Sequence, residues 1–283
     1  MSSSLVSSPN ILPWIRNGVV LNYSGYVYSV DFYSFNLSSI PKSLLSVESV
    51  GVIGGNTSIV GLVFKDKVPI SLSIVINKNI NNSLFILEAH LQIASYSSTK
   101  ILIVNASSRD VFTNDGRYLG KTMFWISPAS KGDLVEYVGR GNSSVLAEVI
   151  SSTPEDTIQG PQDVVALQTL PIYQTSGKYI GIDRKSKIDP SDTQTAEHFH
   201  PRINYYDADT FVMIKGEVSE DAVLSAFNIL DIVAPNGVSL TYTNIDLGPP
   251  NLLVVLTEST PYVILVLIIV VTIVYFFFMK RKA

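Results

Sequence analysis

The chain contains no cysteine. That excludes a disulfide, a thiolate nucleophile, a cysteine-ligated zinc and a cysteine-bound cluster. A secreted domain without disulfides relies on its hydrophobic core. With 46% hydrophobic and 10% aromatic residues, this chain can build one. Charge is also scarce: 16% of the 283 residues are Asp, Glu, Lys or Arg, against roughly 25% in an ordinary soluble domain. Ser, Thr and Asn take their place at the surface. Two exteriors suit such a surface: an acidic one, where carboxylates are largely neutral, or a glycan-coated one. There are three histidines and no G-x-S-x-G, so a serine nucleophile has no placed base. Gly139-Arg140-Gly141 followed by Asn142-Ser143-Ser144 is neither a P-loop nor a dinucleotide fingerprint. No repeat of fixed period is visible.

The scarce charge is unevenly placed. Residues 1–150 hold 11 basic and 9 acidic residues, whereas residues 151–258 hold 6 and 15. Neither part resembles a basic nucleic-acid surface, so no nucleic-acid partner is expected. The acidic part could meet cations or a basic partner, though such charge is most often simply solvated.

One long apolar run stands out. Tyr262 to Met279 carries no charge, and Lys280, Arg281 and Lys282 follow it. Eighteen residues at 1.5 Å each make roughly 27 Å of helix, close to the hydrocarbon thickness of a bilayer. Tyr262 and Tyr275 to Phe278 put aromatic rings near both ends, as interfacial belts do. Positive charge stays on the cytoplasmic side, so residues 280–283 should be a cytoplasmic tail and residues 1–258 should lie outside. The opening segment MSSSLVSSPNILPWIRNGVV has no basic start and no apolar core, so it is not a secretory signal. A start further upstream, a removed signal, or a tail-anchored protein facing the cytoplasm would each account for it.

Asn-x-Ser/Thr sequons occur at Asn22, Asn36, Asn56, Asn81, Asn105 and Asn142, all before residue 145. Together with the charge asymmetry they favour a glycosylated, exported domain.

The dominant hydrophobic period is two. Residues 19–35 read as two strands about Ser24-Gly25, with Tyr26, Tyr28, Val30 and Phe32 on one face. Residues 49–64 read as a hairpin about Gly54-Gly55-Asn56. Strands at 68–76 and 83–95 follow. In the latter, Phe85, Leu87, Ala89, Leu91 and Ile93 share one face, and Glu88, His90 and Gln92 share the other. Further strands are expected at 100–105, 118–126, 133–139, 144–150, 163–173, 178–183, 203–206, 211–218 and 238–247. Residues 220–233 are ambiguous and lean to strand.

These elements predict an all-β fold, an antiparallel sandwich or partly open barrel, plus one C-terminal transmembrane helix. Residues 1–13 form an N-terminal polar segment and 14–150 a β-rich extracytoplasmic region. Residues 151–162 are a linker or long loop. The region 163–250 belongs with the same domain and carries a polar insertion at 184–202. Residues 251–260 are juxtamembrane and 261–279 the transmembrane helix.

Three fragments carry a resemblance: Trp14-Ile-Arg-Asn-Gly18 leading to Tyr23; Phe124-Trp125-Ile126 with Lys131-Gly132-Asp133; and Tyr205-Tyr206-Asp207-Ala-Asp209-Thr210, followed by Thr243-Asn244-Ile245-Asp246-Leu247. The combination resembles uncharacterised membrane-anchored exported β-rich proteins of archaea, whose domains look like the curved sheets of lipoprotein carriers. The resemblance implies a fold and an address, and no catalytic residue carries over from it. Its pattern has glycine after Asp-x-x-Thr, where this chain has Phe211.

His198 and His200, with Glu197 before them, are the candidate metal ligands. Extended, they put both imidazoles on one face, a set suited to Zn²⁺, Cu²⁺ or Fe²⁺. The plainer reading is two loop histidines before Pro201. Asp183, Asp189, Asp192, Asp207 and Asp209 could offer oxygens to Ca²⁺ without EF-hand spacing. Asp207-Ala-Asp209-Thr210 suits a structural turn better than an aspartic protease motif, which carries glycine after Asp-Thr/Ser.

The sequence therefore predicts a non-catalytic, membrane-anchored envelope structural or binding protein with no cofactor. Its partners are the bilayer and other envelope or membrane proteins. The alternatives are a metal-binding or electron-transfer accessory subunit using His198 and His200, and a tail-anchored viral envelope or capsid-type β-protein.

Overall fold

The computed structural model describes residues 12–33, 40–53, 57–81, 83–140, 143–150, 154–169, 172–175, 178–181, 202–251, 254–255 and 268–270. The fold is all-β, with 60% strand and 6% helix among the described residues. In chain order the strands are β1 (Val20–Tyr33), β2 (Leu45–Ile53), β3 (Thr57–Asn79), β4 (Leu84–Ile93), β5 (Tyr96–Asn105) and β6 (Asp110–Thr113). Then come β7 (Tyr118–Lys121), β8 (Leu134–Arg140), β9 (Ser143–Ile150), β10 (Glu155–Thr157), β11 (Gly160–Gln162) and β12 (Val164–Thr169). The rest are β13 (Ile172–Thr175), β14 (Lys178–Gly181), β15 (Ile203–Asp207), β16 (Met213–Gly216), β17 (Ile229–Val233) and β18 (Val238–Thr243), with a short helix α1 (Ala222–Ser225) before β17.

One 14-stranded antiparallel sheet holds most of them, in the order β7-β6-β5-β4-β3-β1-β18-β16-β15-β12-β9-β8, with β17 on β1 and β2 on β3. Within this one sheet the strands from after residue 163, β18-β16-β15-β12, lie between two groups from before residue 150. The interval 151–162, expected as a linker or loop, contains the separate hairpin β10–β11. The two ends of the strand path meet, because β7 lies against β8. Lys121 Nζ on β7 sits 3.1 Å from Asp110 and 3.5 Å from Glu136 of β8. Arg109 also donates to the Glu136 carbonyl.

Strand β4 shows why the pattern works. Its apolar residues alternate, and Phe85, Leu87, Ala89, Leu91 and Ile93 are all buried while His90 and Gln92 are exposed. Residues 19–35 depart from expectation. Val20–Tyr33 form one strand, since Gly25 continues the ladder to Ile70 and Val238 instead of turning. A bulge between Val27 and Ser29 then shifts the face. Val30 and Phe32 are buried, but Tyr26 and Tyr28 point outward and are 53% and 44% exposed.

Residues 220–233 divide instead of making one strand. Asp221 caps α1 by accepting from Val223 N. Asn228 then takes a left-handed φ of 61° before β17 begins. The runs expected at 118–126 and 211–218 are also shorter. Residues 122–126 leave the ladder apart from a bridge between Trp125 and Val212. They run instead through the core, where Met123, Phe124, Trp125 and Ile126 are fully or almost fully buried. Strand β6 was not foreseen, because four residues are too few to show a period.

The core is one cluster built from the inward sheet face, the segment Met123–Ile126, the N-terminal Leu12, Trp14 and Ile15, and the apolar side of α1.

Candidate functional site

The outward face of the central strands is unusual for its small polar side chains. Pairing places Gln92 opposite Ser71 and Ser71 opposite Ser24. Ser24 lies opposite Ser239, and Ser239 opposite Lys215. These five residues make one directly opposed row across β4, β3, β1, β18 and β16. At about 4.8 Å per strand the row spans roughly 19 Å. A second row two residues along runs Thr99, His90, Ser73, Asn22 and Tyr242. Here His90 Nδ1 lies 2.9 Å from Thr99 Oγ1, and Ser97 Oγ lies 3.3 Å from His90 Nε2.

A groove of about 680 Å³ lies over the first row. Glycine permits the close backbone approach beside it. A Cβ on Gly25 would meet the Gly237 carbonyl at 2.6 Å, and one on Gly237 would meet the Gly216 carbonyl at 2.2 Å. Gly237 also has a left-handed φ of 64°, which glycine adopts without strain. The rim carries Tyr26 and Tyr28, and the Lys67 ammonium sits 4.8 Å above the centre of the Tyr26 ring. Lys67 and Lys215 both line the groove, and among the described residues no carboxylate does.

Beneath the opposite face is a buried polar network. Asp221 is fully buried; Oδ1 accepts from Val223 N at 2.7 Å, and Oδ2 accepts from Met123 N at 2.6 Å and Thr122 Oγ1 at 3.1 Å. Burial pushes its carboxyl up to about 6 despite these donors. Arg109 is buried as well and donates to the Thr122 carbonyl; burial lowers its pKa. Tyr206 donates to the Met123 carbonyl and Tyr23 to the Met213 carbonyl, and burial raises both phenols. These bonds satisfy the backbone of a segment that has left the sheet. The arrangement is a structural clamp.

The same clamp brings together the fragments singled out in the sequence. Trp14 stands edge-on to Trp125 at 5.9 Å and donates to the Thr210 carbonyl at 2.7 Å. Tyr23 packs on Phe124 at 4.8 Å. Asn244 accepts from Val20 N and donates to the Gly18 carbonyl.

Asp207 is buried, and its Oδ1 accepts from both Thr210 N and Thr210 Oγ1, as the structural-turn reading requires. Phe211 takes a left-handed φ of 58°.

The metal candidates Glu197, His198 and His200 lie outside the described residues, as do Asp183, Asp189 and Asp192. Among the described residues no group of three or more His, Cys, Asp or Glu is placed to hold a metal ion. Of the sequons, Asn36, Asn56 and Asn142 also lie outside. Asn81 is exposed, and its side-chain oxygen caps the turn by accepting from Ser83 N and Leu84 N. Asn105 makes the equivalent turn to Ser107 N and Ser108 N. In both, the amide nitrogen that a glycan would modify is left out of these turn bonds. Asn22 instead sits mid-strand between Ser73 and Tyr242. Sequence reasoning missed the groove altogether, since its row joins residues more than a hundred positions apart. No family model matches the chain, and no curated protein or solved structure matches it either.

Proposed function

We propose that this chain is a membrane-anchored extracytoplasmic binding protein of the cell envelope. Its β-domain is a partly open barrel, held to the bilayer by one C-terminal helix, and it works by binding and not by catalysis. The observation that carries the reading is the uncharged run from Tyr262 to Met279 with Lys280, Arg281 and Lys282 beyond it, on the C-terminal side of the last strand of the sheet. The meeting of β7 with β8 supports the barrel. The anchor run lies outside the described residues except for 268–270, which are helical. There Ile268, Ile269 and Val270 are 57%, 49% and 50% exposed, as apolar residues facing lipid would be. Among the described residues no helix is long and apolar enough to cross a membrane. The geometry of Asn81 and Asn105 agrees with export and glycosylation.

Cell fractionation tests the anchor. The full chain should sediment with membranes and resist extraction by alkaline carbonate. A chain ending at Asn251 should move to the soluble fraction with its β-domain folded. Carbonate extraction of the full chain, or continued sedimentation of the shortened one, would contradict the reading.

A further inference from the structure

We propose that the groove over β1, β3 and β18 binds a linear carboxylated polysaccharide, an assignment that rests on the extracytoplasmic reading and names its ligand. Three features select this chemistry. The floor is lined by short side chains, because Ser71, Ser24 and Ser239 stand in one register row. Short hydroxyls both donate and accept, as the hydroxyls of a sugar ring require. A row of roughly 19 Å accommodates several rings laid across the strands.

The rim supplies exposed aromatic faces. Tyr26 and Tyr28 are 53% and 44% exposed on one edge of the groove. An amphipathic ring with an apolar face and a polar tip suits the C–H face and hydroxyl edge of a pyranose.

Charge decides between a neutral and an acidic glycan. Lys67 and Lys215 line the groove, and among the described residues no carboxylate lines it, in a chain whose net charge is −4. A local positive site on an acidic protein attracts anions. An acidic peptide is the rival occupant. Extended peptides favour open sheet edges, where backbone groups are free to pair, whereas β1, β3 and β18 each have paired neighbours on both sides.

The test uses full-length protein in detergent, titrated calorimetrically at low salt with oligogalacturonate, the same oligomer reduced to its neutral form, and poly-glutamate. The expected result is saturable binding of oligogalacturonate, at least tenfold weaker binding of the neutral oligomer, and none comparable for poly-glutamate. Lys67→Gln with Lys215→Gln, and separately Tyr28→Ala, should each weaken binding at least tenfold, with Tyr28→Phe retaining it. All these side chains are on the outward face, so their melting temperatures should equal that of the unaltered protein. Ser71→Tyr, which fills the groove from an exposed position, should abolish binding by an independent route. Absent binding, binding indifferent to these changes, or equal binding of poly-glutamate would overturn the proposal. Titration reads the groove whatever the topology, and fractionation reads the anchor whatever the groove binds, so the two failures are distinguishable.

Discussion

Asp221→Ala will destabilise the domain by about 3 kcal/mol or more, measured by urea unfolding at pH 7. The carboxylate is fully buried and accepts from Val223 N, Met123 N and Thr122 Oγ1. Alanine leaves these donors without their acceptor in a water-free interior, at about 1–3 kcal/mol for each group that finds no other. It also strips α1 of its cap and leaves the buried Arg109 with one less counter-charge. A loss below 1 kcal/mol would show that the clamp is not holding residues 122–126.

Asp221→Asn separates packing from titration. The carboxyl pKa is raised from 3.8 to about 6 in the folded state. A raised acid binds its proton more tightly when folded, so its stabilising contribution is full below about pH 4. It is lost as pH rises from about 4 through about 6. The shift corresponds to about 3 kcal/mol across that window. Asp31, raised by burial and by Asp231 directly opposite it, and Asp207, raised by burial, act in the same direction. Asp115 acts the other way, but it is fully exposed. The domain should therefore be more stable near pH 4 than near pH 7, which agrees with the acidic exterior that scarce charge suggests. Asp221→Asn should flatten much of that slope. Superimposable pH profiles for the two proteins would refute the assignment.

Trp125→Ala should cost about 3–5 kcal/mol, the usual range for deleting a fully buried large aromatic side chain. Trp125 is 1% exposed and touches both Trp14 and Phe85, at ring distances of 5.9 and 5.8 Å. The indole Nε1 is a buried donor without an acceptor among the described residues. Trp125→Phe therefore removes an unsatisfied group along with some volume, and should cost much less than alanine. Equal losses for the two variants, read from thermal melts, would mean that the indole nitrogen matters after all.

How far the sequence reveals this molecule depends on the range of the interaction. Alternation is local, so the buried face of β4 and the outward placement of His90 were legible from residues 83–95 alone. The turn at Asp207 was legible for the same reason. Residues 19–35 misled because Ser24-Gly25 carries ordinary turn chemistry. Its extended path is imposed by β3 and β18 pairing on either side. The capping role of Asp221 was available in principle, since Asp before an Ala-Val-Leu-Ser run is an N-cap signal. The β-branched residues that follow masked it. The groove was not legible at all. Its Ser24–Ser239 contact exists only once β18 returns beside β1, and Gly25 and Gly237 read locally as ordinary turn residues.

The most direct test of the central claim is protease added to intact cells that carry the full chain in its own host. The β-domain, residues up to about 258, should be digested while a cytoplasmic marker survives, and a short fragment containing Lys280–Lys282 should be protected. A β-domain that survives alongside the cytoplasmic marker, and is digested only once the membrane is broken, would place it inside and contradict the account.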